Sequence, residues 1–421
     1  MVRWAHAVIL ALLPLGAAWA QGDSGDKSNN PFRLEDAIAA GRFSLELRPR
    51  YNRIEESDKP EVTRGGTVRG VLGWRSAPFE GFRAVLEAIH TDTFSKDFND
   101  DPSQIGSSEY PLLPDPRYTG VNQAYLDYAG EAFGVRAGRQ VVRLDSQRWV
   151  SDNDFRQIPQ LFDGVSARFV PVANVELAGS YFGRVRTTSG DLDTLRLTLL
   201  HAAWNPLAGH ALAAYGVFHD QPQNGAFTGF ADNSYQVAGA RAEGTFALHG
   251  PVQGLYTLDA ARQRPYAGGD ARVRGTYWRA GLGAASEAWT LRYDEERKGS
   301  NGGQYGVQMP LTDFYAFNGW TLHFFNTPRQ GLRDRWLTGR LAFGDFTLYA
   351  EGHRFRSDYG NIDFGREVDT GITYAWGDHL VARLQHARYD PGAGTPDASI
   401  RKTWLTLSAI PRASANTMMI A

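Results

Sequence analysis

The sequence predicts an all-β fold, an 18-stranded antiparallel transmembrane β-barrel with short periplasmic turns and long extracellular loops. Three observations predict it. Segment after segment alternates apolar and polar residues with period 2. Most of these segments run about ten residues or more, which a tilted membrane-crossing strand needs, against about five or six in ordinary sheets. Their connections alternate, one tight and the next longer on average, as in an outer-membrane barrel with both termini periplasmic.

The chain begins with a predicted secretory signal, residues 1–20: a weak basic start at Arg3 and His6, an apolar run from Ala7 to Ala18, and the cleavage-type triplet Ala18-Trp19-Ala20. Residues 21–41 read as a periplasmic linker. Within it, Gly22-Asp-Ser-Gly25 and Gly25-Asp-Lys27-Ser28 imitate a serine nucleophile and a phosphate loop. The first has no placed histidine, and the second has the wrong spacing and no preceding strand. A short helical turn fits Pro31 to Gly41, with Leu34 and Ile38 on one face. Residues 42–410 are the predicted barrel and 411–421 a C-terminal tail. No later stretch reaches the ~18 apolar residues of a membrane helix, so a closed barrel is the remaining way to span.

The first strand, 43–54, sets the pattern: Phe43, Leu45, Leu47, Pro49 and Tyr51 alternate with Ser44, Glu46, Arg48, Arg50 and Asn52. In a barrel the first set meets lipid and the second the lumen. The same reading places strands at 64–76, 82–93, 121–129, 132–142, 163–170, 174–186, 193–204 and 210–220. It continues with 234–247, 252–263, 271–283, 287–297, 334–343, 345–357, 363–375, 379–389 and 399–409. Tight links such as Gly130-Glu131, Pro206-Leu-Ala-Gly209 and Phe343-Gly-Asp345 alternate with links including 94–120, 143–162 and 298–333. Trp74, Trp204, Trp289, Tyr293, Trp336, Tyr374 and Trp376 lie near strand ends, where a barrel carries aromatic girdles.

Charge is balanced, 44 basic against 46 acidic residues, which gives no bulk field for nucleic acid. Lys occurs only at 27, 59, 96, 298 and 402, so 39 of the 44 basic residues are Arg, whose planar fork suits carboxylate and phosphate. There is no Cys, which removes disulfides and thiolate chemistry. Strand parity directs Arg48, Arg50, Arg69, Arg75, Arg83, Arg136, Arg168 and Arg292 to the lumen. Glu46, Glu87, Asp127, Asp294, Glu351, Glu367 and Asp369 face the same way. This is either a salt-bridged wall of weak selectivity or, on the first three strands, an Arg-rich arc that draws anions.

The stretch from Gly138 to Phe169 leaves one strand and enters another through Arg143, Asp145, Arg148, Asp152, Asp154 and Arg156, mixed with Trp149, Phe155 and Phe162. Aromatics and charges together predict a loop folded into the barrel mouth, anchored by its rings. The acidic loop clusters match no calcium-loop spacing. The ten His include no H-E-x-x-H, and His353 with Ser357 is the one pair to weigh for a barrel-embedded hydrolase. No cofactor or metal is called for, and the protein is expected not to be an enzyme.

These motifs occur together in a known order. Gly138-Arg139-Gln140, Arg148, Asp154-Phe155-Arg156-Gln157 and Phe162-Asp163-Gly164-Val165 resemble the signature of the alginate export family of outer-membrane porins. So do Phe317-Asn318-Gly319-Trp320, Thr327-Pro328, Gly331-Leu332-Arg333-Asp334 and Lys402-Thr-Trp404. The resemblance implies an 18-stranded barrel in the bacterial outer membrane, passing alginate or another anionic polyuronate or oligosaccharide through an Arg-rich lumen. It marks Arg139, Arg148, Arg156, Asp163 and Arg333 as pore-loop and selectivity residues. The expected partners are such anionic solutes and outer-membrane lipid, with a monomer favoured. The alternative is a general or neutral-solute porin whose wall charges cancel. Ile410 stands where such barrels carry a terminal aromatic, a departure from the pattern.

Overall fold

The computed structural model describes residues 33–101, 105–222, 229–230, 232–393, 395–409 and 419–420. The signal segment, most of the linker, Ile410 and nearly all of the C-terminal tail lie outside them. A short helix, α1 (Leu34–Ala39), precedes the barrel, with Ala37 buried and the Ala37 carbonyl accepting the Ala77 N–H at 3.0 Å. This ties the helix to the turn after the second strand.

Eighteen strands follow: β1 (Arg42–Glu56), β2 (Thr63–Arg75), β3 (Phe82–Thr93), β4 (Tyr118–Ala129), β5 (Phe133–Gln140) and β6 (Leu161–Val172). Next come β7 (Val175–Arg186), β8 (Leu192–Leu207), β9 (His210–Asp220), β10 (Tyr235–His249), β11 (Val252–Pro265) and β12 (Gly275–Ala285). The last are β13 (Trp289–Lys298), β14 (Leu332–Phe343), β15 (Phe346–Arg356), β16 (Asp363–Trp376), β17 (Leu380–Asp390) and β18 (Ile400–Ala409). Each pairs antiparallel with the next, and β18 returns to β1 along Ile400↔Glu56 to Ala409↔Leu47. The sheet is closed, so no edge strand is left open.

The outward face is apolar. Leu45, Leu47, Leu72, Leu86, Leu126, Leu200, Leu258, Leu282, Leu337, Leu384 and Leu405 are all exposed on it. A surface so rich in exposed leucine calls for a non-aqueous surround, which for a closed barrel is lipid. Trp204, Tyr293 and Trp376 join that face, but Trp336 does not; it points inward and is buried.

Strand boundaries follow the predicted alternation with one sizeable shift. The twelfth strand was expected at 271–283 and starts at Gly275. Ala271-Arg-Val-Arg274 alternates like a strand, yet Asp270 Oδ1 accepts the Arg272 N–H at 2.9 Å and the Asp270 carbonyl accepts the Val273 N–H at 2.9 Å, closing a turn. Gly138, on β5, has φ 128°, and a Cβ there would meet the Ala124 carbonyl oxygen at 2.2 Å. Only glycine allows β4 and β5 to approach so closely where β5 leaves the wall.

The inward face is not charged throughout. On β7 to β10 it carries Phe182, Leu195, Leu197, Leu199, Val217 and Val237, all buried. Two loops cover it. The loop 141–160 between β5 and β6 contributes Val142, Leu144, Trp149 and Val150 to this cluster, and the loop 299–331 between β13 and β14 contributes Tyr305, Val307, Met309 and Leu311. An apolar inner wall in a barrel lumen is stable only when something dry packs on it, and these loops do so.

Candidate functional site

Loop 141–160 enters the lumen as its composition predicted. The Trp149 Nε1–H donates to the Tyr215 hydroxyl at 2.9 Å, and that hydroxyl donates to Asp259 Oδ1 at 2.6 Å. Further along, Phe155 stacks on Tyr315 of the second loop, with centroids 3.6 Å apart, and meets Trp404 of β18 edge-on. The loop thus crosses from the β9–β11 wall to the β18–β1 wall, held by a ring at each end.

The crossing ends on arginines. Arg48 and Arg69 face each other across the β1–β2 ladder, a destabilising like-charge pair if left alone. Asp154 of the loop comes between them, with Oδ1 2.8 Å from Arg69 Nη1 and Oδ2 3.6 Å from Arg48 Nη1. Glu46 completes the Arg69 pairing. Arg48 also donates to the Asp154 carbonyl at 2.7 Å and to the Arg156 carbonyl, and Arg50 donates to the Phe155 carbonyl at 2.7 Å. Three consecutive loop carbonyls thereby receive charge-assisted hydrogen bonds. Burial opposes ionisation of Asp154, but Arg69 and Arg48 prevail and hold its carboxyl well below the usual carboxylate range.

Arg148 anchors the other half. Its guanidinium grips Glu296 of β13 at 2.7 and 2.6 Å and also donates to Thr312 Oγ1 and Asn318 Oδ1 in loop 299–331. Both side chains of the Arg148–Glu296 pair are at most 2% exposed, so this is a buried lock joining two loops to the wall. Arg143 pairs with Asp152 inside loop 141–160 at 2.6 Å, and Asp145 meets His201 of β8 at 2.9 Å. Burial pushes the Asp152 carboxyl above its ordinary value against the pull of Arg143, and burial does the same to Asp313 of the second loop, with Asp152 adding to it.

Arg156 differs from these. Its guanidinium is half-buried in the lumen with no hydrogen bond or ion pair to any described residue. Arg50 and Lys402 are among its charged neighbours, and burial draws its pKa down with only Asp115 opposing.

The remaining predicted positions divide by face. Arg168 is inward and pairs with Glu176 at 3.1 Å, and Arg292 is inward and pairs with Asp294 at 2.6 Å. Arg75 and Arg83 are half-buried on the inward parity of β2 and β3, near the tight turn. Three positions are corrected. Arg139 and Asp163 pair with each other at 2.6 Å, but they lie on the outward parity of β5 and β6, two residues beyond outward Ala137 and Val165. Arg333 sits on the outward parity of β14 with Arg335 and Leu337; it is exposed and bonds Asp358 at 3.1 Å. By strand alternation all three stand on the outer side of the wall, Arg139 and Asp163 largely buried there and Arg333 exposed.

Loop 299–331 was not singled out as an inserted element. Its motif Phe317-Asn318-Gly319-Trp320 was the available signal. Gly319 has φ 86°, and a Cβ there would lie 2.4 Å from the Glu367 carboxyl carbon. The chain therefore touches the β16 wall there, where the Thr321 N–H donates to Glu367 Oε1 at 2.6 Å. Tyr315 and Glu296 also hold this junction and carry no signal in the sequence reading, while Lys402, marked there only within the Lys402-Thr-Trp404 motif, donates to the Thr321 carbonyl at 2.5 Å. For the hydrolase reading, four residues of strand put His353 and Ser357 about 13 Å apart along the chain. The His353 Nδ1 meets Asp334 instead, and the Ser357 Oγ accepts the Ile362 N–H at 2.6 Å.

Residues 45–304 match the sequence profile described as alginate export, more than half of the chain. The chain belongs to the alginate export family. It is an outer-membrane β-barrel channel of the porin type. Several solved Pseudomonas aeruginosa barrels share its fold. OccK9 (OpdG) superposes with a TM-score of 0.68 at 15% identity, covering 89% of this chain and 99% of that one. OccK5 (OpdH) gives 0.65 at 12% identity over 89% and 99%, and OpdK solved with vanillate gives 0.65 at 13% over 88% and 98%. Among curated protein sequences, none matches this alginate export barrel significantly.

Proposed function

We propose that this alginate export barrel passes anionic solutes, with alginate or related oligouronates as the leading class, along a basic arc formed by Arg48, Arg50, Arg69, Arg156 and Lys402. The observation that carries this reading is Arg156. Its neighbours Arg48, Arg50 and Arg69 are engaged by loop carbonyls and carboxylates, whereas its own guanidinium is half-buried and unpaired among the described residues. A guanidinium held without a counter-ion beside other cations is a place for a solute carboxylate. In the same reading the tight turns are periplasmic, the long loops extracellular, residues 1–20 are removed on export, and the barrel works as a monomer without cofactor.

The test is the reversal potential of the purified barrel in a planar bilayer across a salt gradient, followed by oligouronate. Anion preference with concentration-dependent block, both reduced in Arg156→Ala, is the expected result. Unchanged selectivity in that variant removes Arg156 from the role. A second reading, a weakly selective porin, is favoured by the pairing of Arg148, Arg168 and Arg292 with carboxylates. It requires near-zero reversal potential and no block by oligouronate. Because OpdK was solved with vanillate, an aromatic carboxylate, that compound is a useful small anion to compare with the polymer.

A further inference from the structure

We propose that Glu351, His353 and Asp369 form a divalent transition-metal site on the inner wall of the barrel, under the tip of loop 299–331. Period-2 geometry puts Glu351 and His353 on the same inward face of β15, and the β15–β16 register sets Asp369 opposite Glu351. One donor atom from each of the three lies within 4.8 Å of the others.

The histidine shows which atom is available. Asp334 of β14 engages its Nδ1 at 3.0 Å. A carboxylate on one ring nitrogen fixes the tautomer and leaves the other nitrogen as the donor for a metal. Nε2 points between Glu351 Oε2 at 3.6 Å and Asp369 Oδ2 at 3.8 Å. Nε2 is buried without a hydrogen-bond partner, and so is Asp369 Oδ1. The side chain of His353 is only 3% exposed. Two buried polar atoms without partners, on residues that touch, are costly unless something satisfies them.

The ring is also held in place. Trp336 and Phe355 lie nearly parallel to it, at 15° and 14°, with centroids 5.7 and 5.5 Å away. The charge balance favours a cation, because Glu351, Asp369, Asp334 and Glu367 surround a single imidazole. Tetrahedral bonds of ~2.0–2.1 Å place donors about 3.4 Å apart, so the two separations from Nε2, 3.6 and 3.8 Å, need to close by only a few tenths of an ångström, while the two carboxylates, within 4.8 Å of each other, draw together by turning their side chains. One imidazole with two carboxylates suits zinc or cobalt better than calcium, which takes six to eight oxygens. The loop tip hangs on the same groups: the Trp320 N–H donates to Asp369 Oδ2 at 3.2 Å, and the Asn318 amide donates to Asp334 at 3.1 Å. A bound metal would therefore fix the carboxylates from which this loop is suspended.

The experiment uses the full, untagged barrel refolded in detergent, freed of metal by a chelator and titrated with Co²⁺. One Co²⁺ per chain should bind, with visible absorption and quenching of tryptophan emission, because Trp320 and Trp336 border the site. Zn²⁺ should displace it. His353→Ala should weaken binding at least tenfold, and His323→Ala, at the partly exposed contact with Asp397, should not. Glu351→Gln, checked for a folded barrel by circular dichroism, should also weaken binding at least tenfold. Absence of binding by the wild-type barrel would overturn the proposal and leave His353 as an imidazolium caged by carboxylates. Binding that survives both His353→Ala and Glu351→Gln would overturn it as well.

Discussion

At the residue scale, arginines of one chemical type do two different jobs. Arg148 is structural: bidentate, buried, and joined to Glu296, Thr312 and Asn318. Truncating it leaves Glu296 buried without its guanidinium, held only by hydrogen bonds from Tyr277 and Asn318 with Lys298 nearby; a buried pair that loses one partner costs up to about 3–5 kcal/mol. Arg148→Ala should therefore release both loops, seen as larger and noisier single-channel conductance and faster proteolysis of loop 299–331. Adding Glu296→Gln should recover part of the loss, since the stranded charge is then gone. Arg156→Ala removes no hydrogen bond and should leave stability unchanged within about 0.5 kcal/mol, as for substitutions away from anchoring features. Its effect should fall on anion preference alone, so the reversal potential and the unfolding curve distinguish the two arginines. Composition showed that arginine matters in this chain; the difference between these two lies in partners more than a hundred residues away, which no local pattern reveals.

At the scale of elements, the constriction is a junction of two loops, and its acids are uneven. Asp154 stays ionised far into acid because Arg69 and Arg48 face it, so that clip survives mild acidification. Asp152 and Asp313 lie across the loop–loop junction, and both carboxyls are raised above their ordinary values, chiefly by burial. A carboxyl whose pKa is higher in the docked state binds more protons there than when undocked. Docking therefore strengthens as pH falls through the window from the raised value down to the ordinary one of about 4. Conductance noise should fall as the pH is lowered from neutral toward about 4, and Asp313→Asn should flatten that dependence. The insertion of loop 141–160 was legible because Trp149, Phe155 and Phe162 have no reason to sit in a solvated link. Loop 299–331 was less so. Its rings are spaced irregularly, and what draws it inward is a set of acids on β13, β14 and β16 that no local window of sequence displays. Arg139, Asp163 and Arg333 were assigned to the lumen by resemblance, and parity alone could have corrected them. Counting in twos from Val165 reaches Asp163 on the outer face, and counting back from Leu337 reaches Arg333.

At the scale of the whole molecule, the barrel inverts the usual arrangement, with leucine outside and charge and loops inside. Strand count and closure were legible because alternation is enforced at every strand: lipid rejects polar side chains and backbone groups alike. The inner wall was less legible, since Leu195, Leu197 and Leu199 face inward as firmly as Leu200 faces out, and only the packed loops explain them. The outward face therefore carries a depth-dependent prediction. Leu258 lies midway along β11 and is 55% exposed, flanked across the ladders by Ala242 and Ala280. Arginine there must be buried in hydrocarbon, which in such barrels costs about 2–4 kcal/mol at the midplane. Leu207, at the tight-turn end of β8, is 69% exposed but stands at the rim, where the same change costs about 0–1 kcal/mol. Denaturant unfolding from lipid vesicles should separate Leu258→Arg from Leu207→Arg by roughly 1–4 kcal/mol. The same pair compared in detergent micelles should show a smaller gap, because a micelle has no fixed hydrocarbon thickness to enforce depth. Equal costs for both substitutions in vesicles would mean that the leucine face does not meet a bilayer core, and the placement of this barrel across the membrane would have to be redrawn.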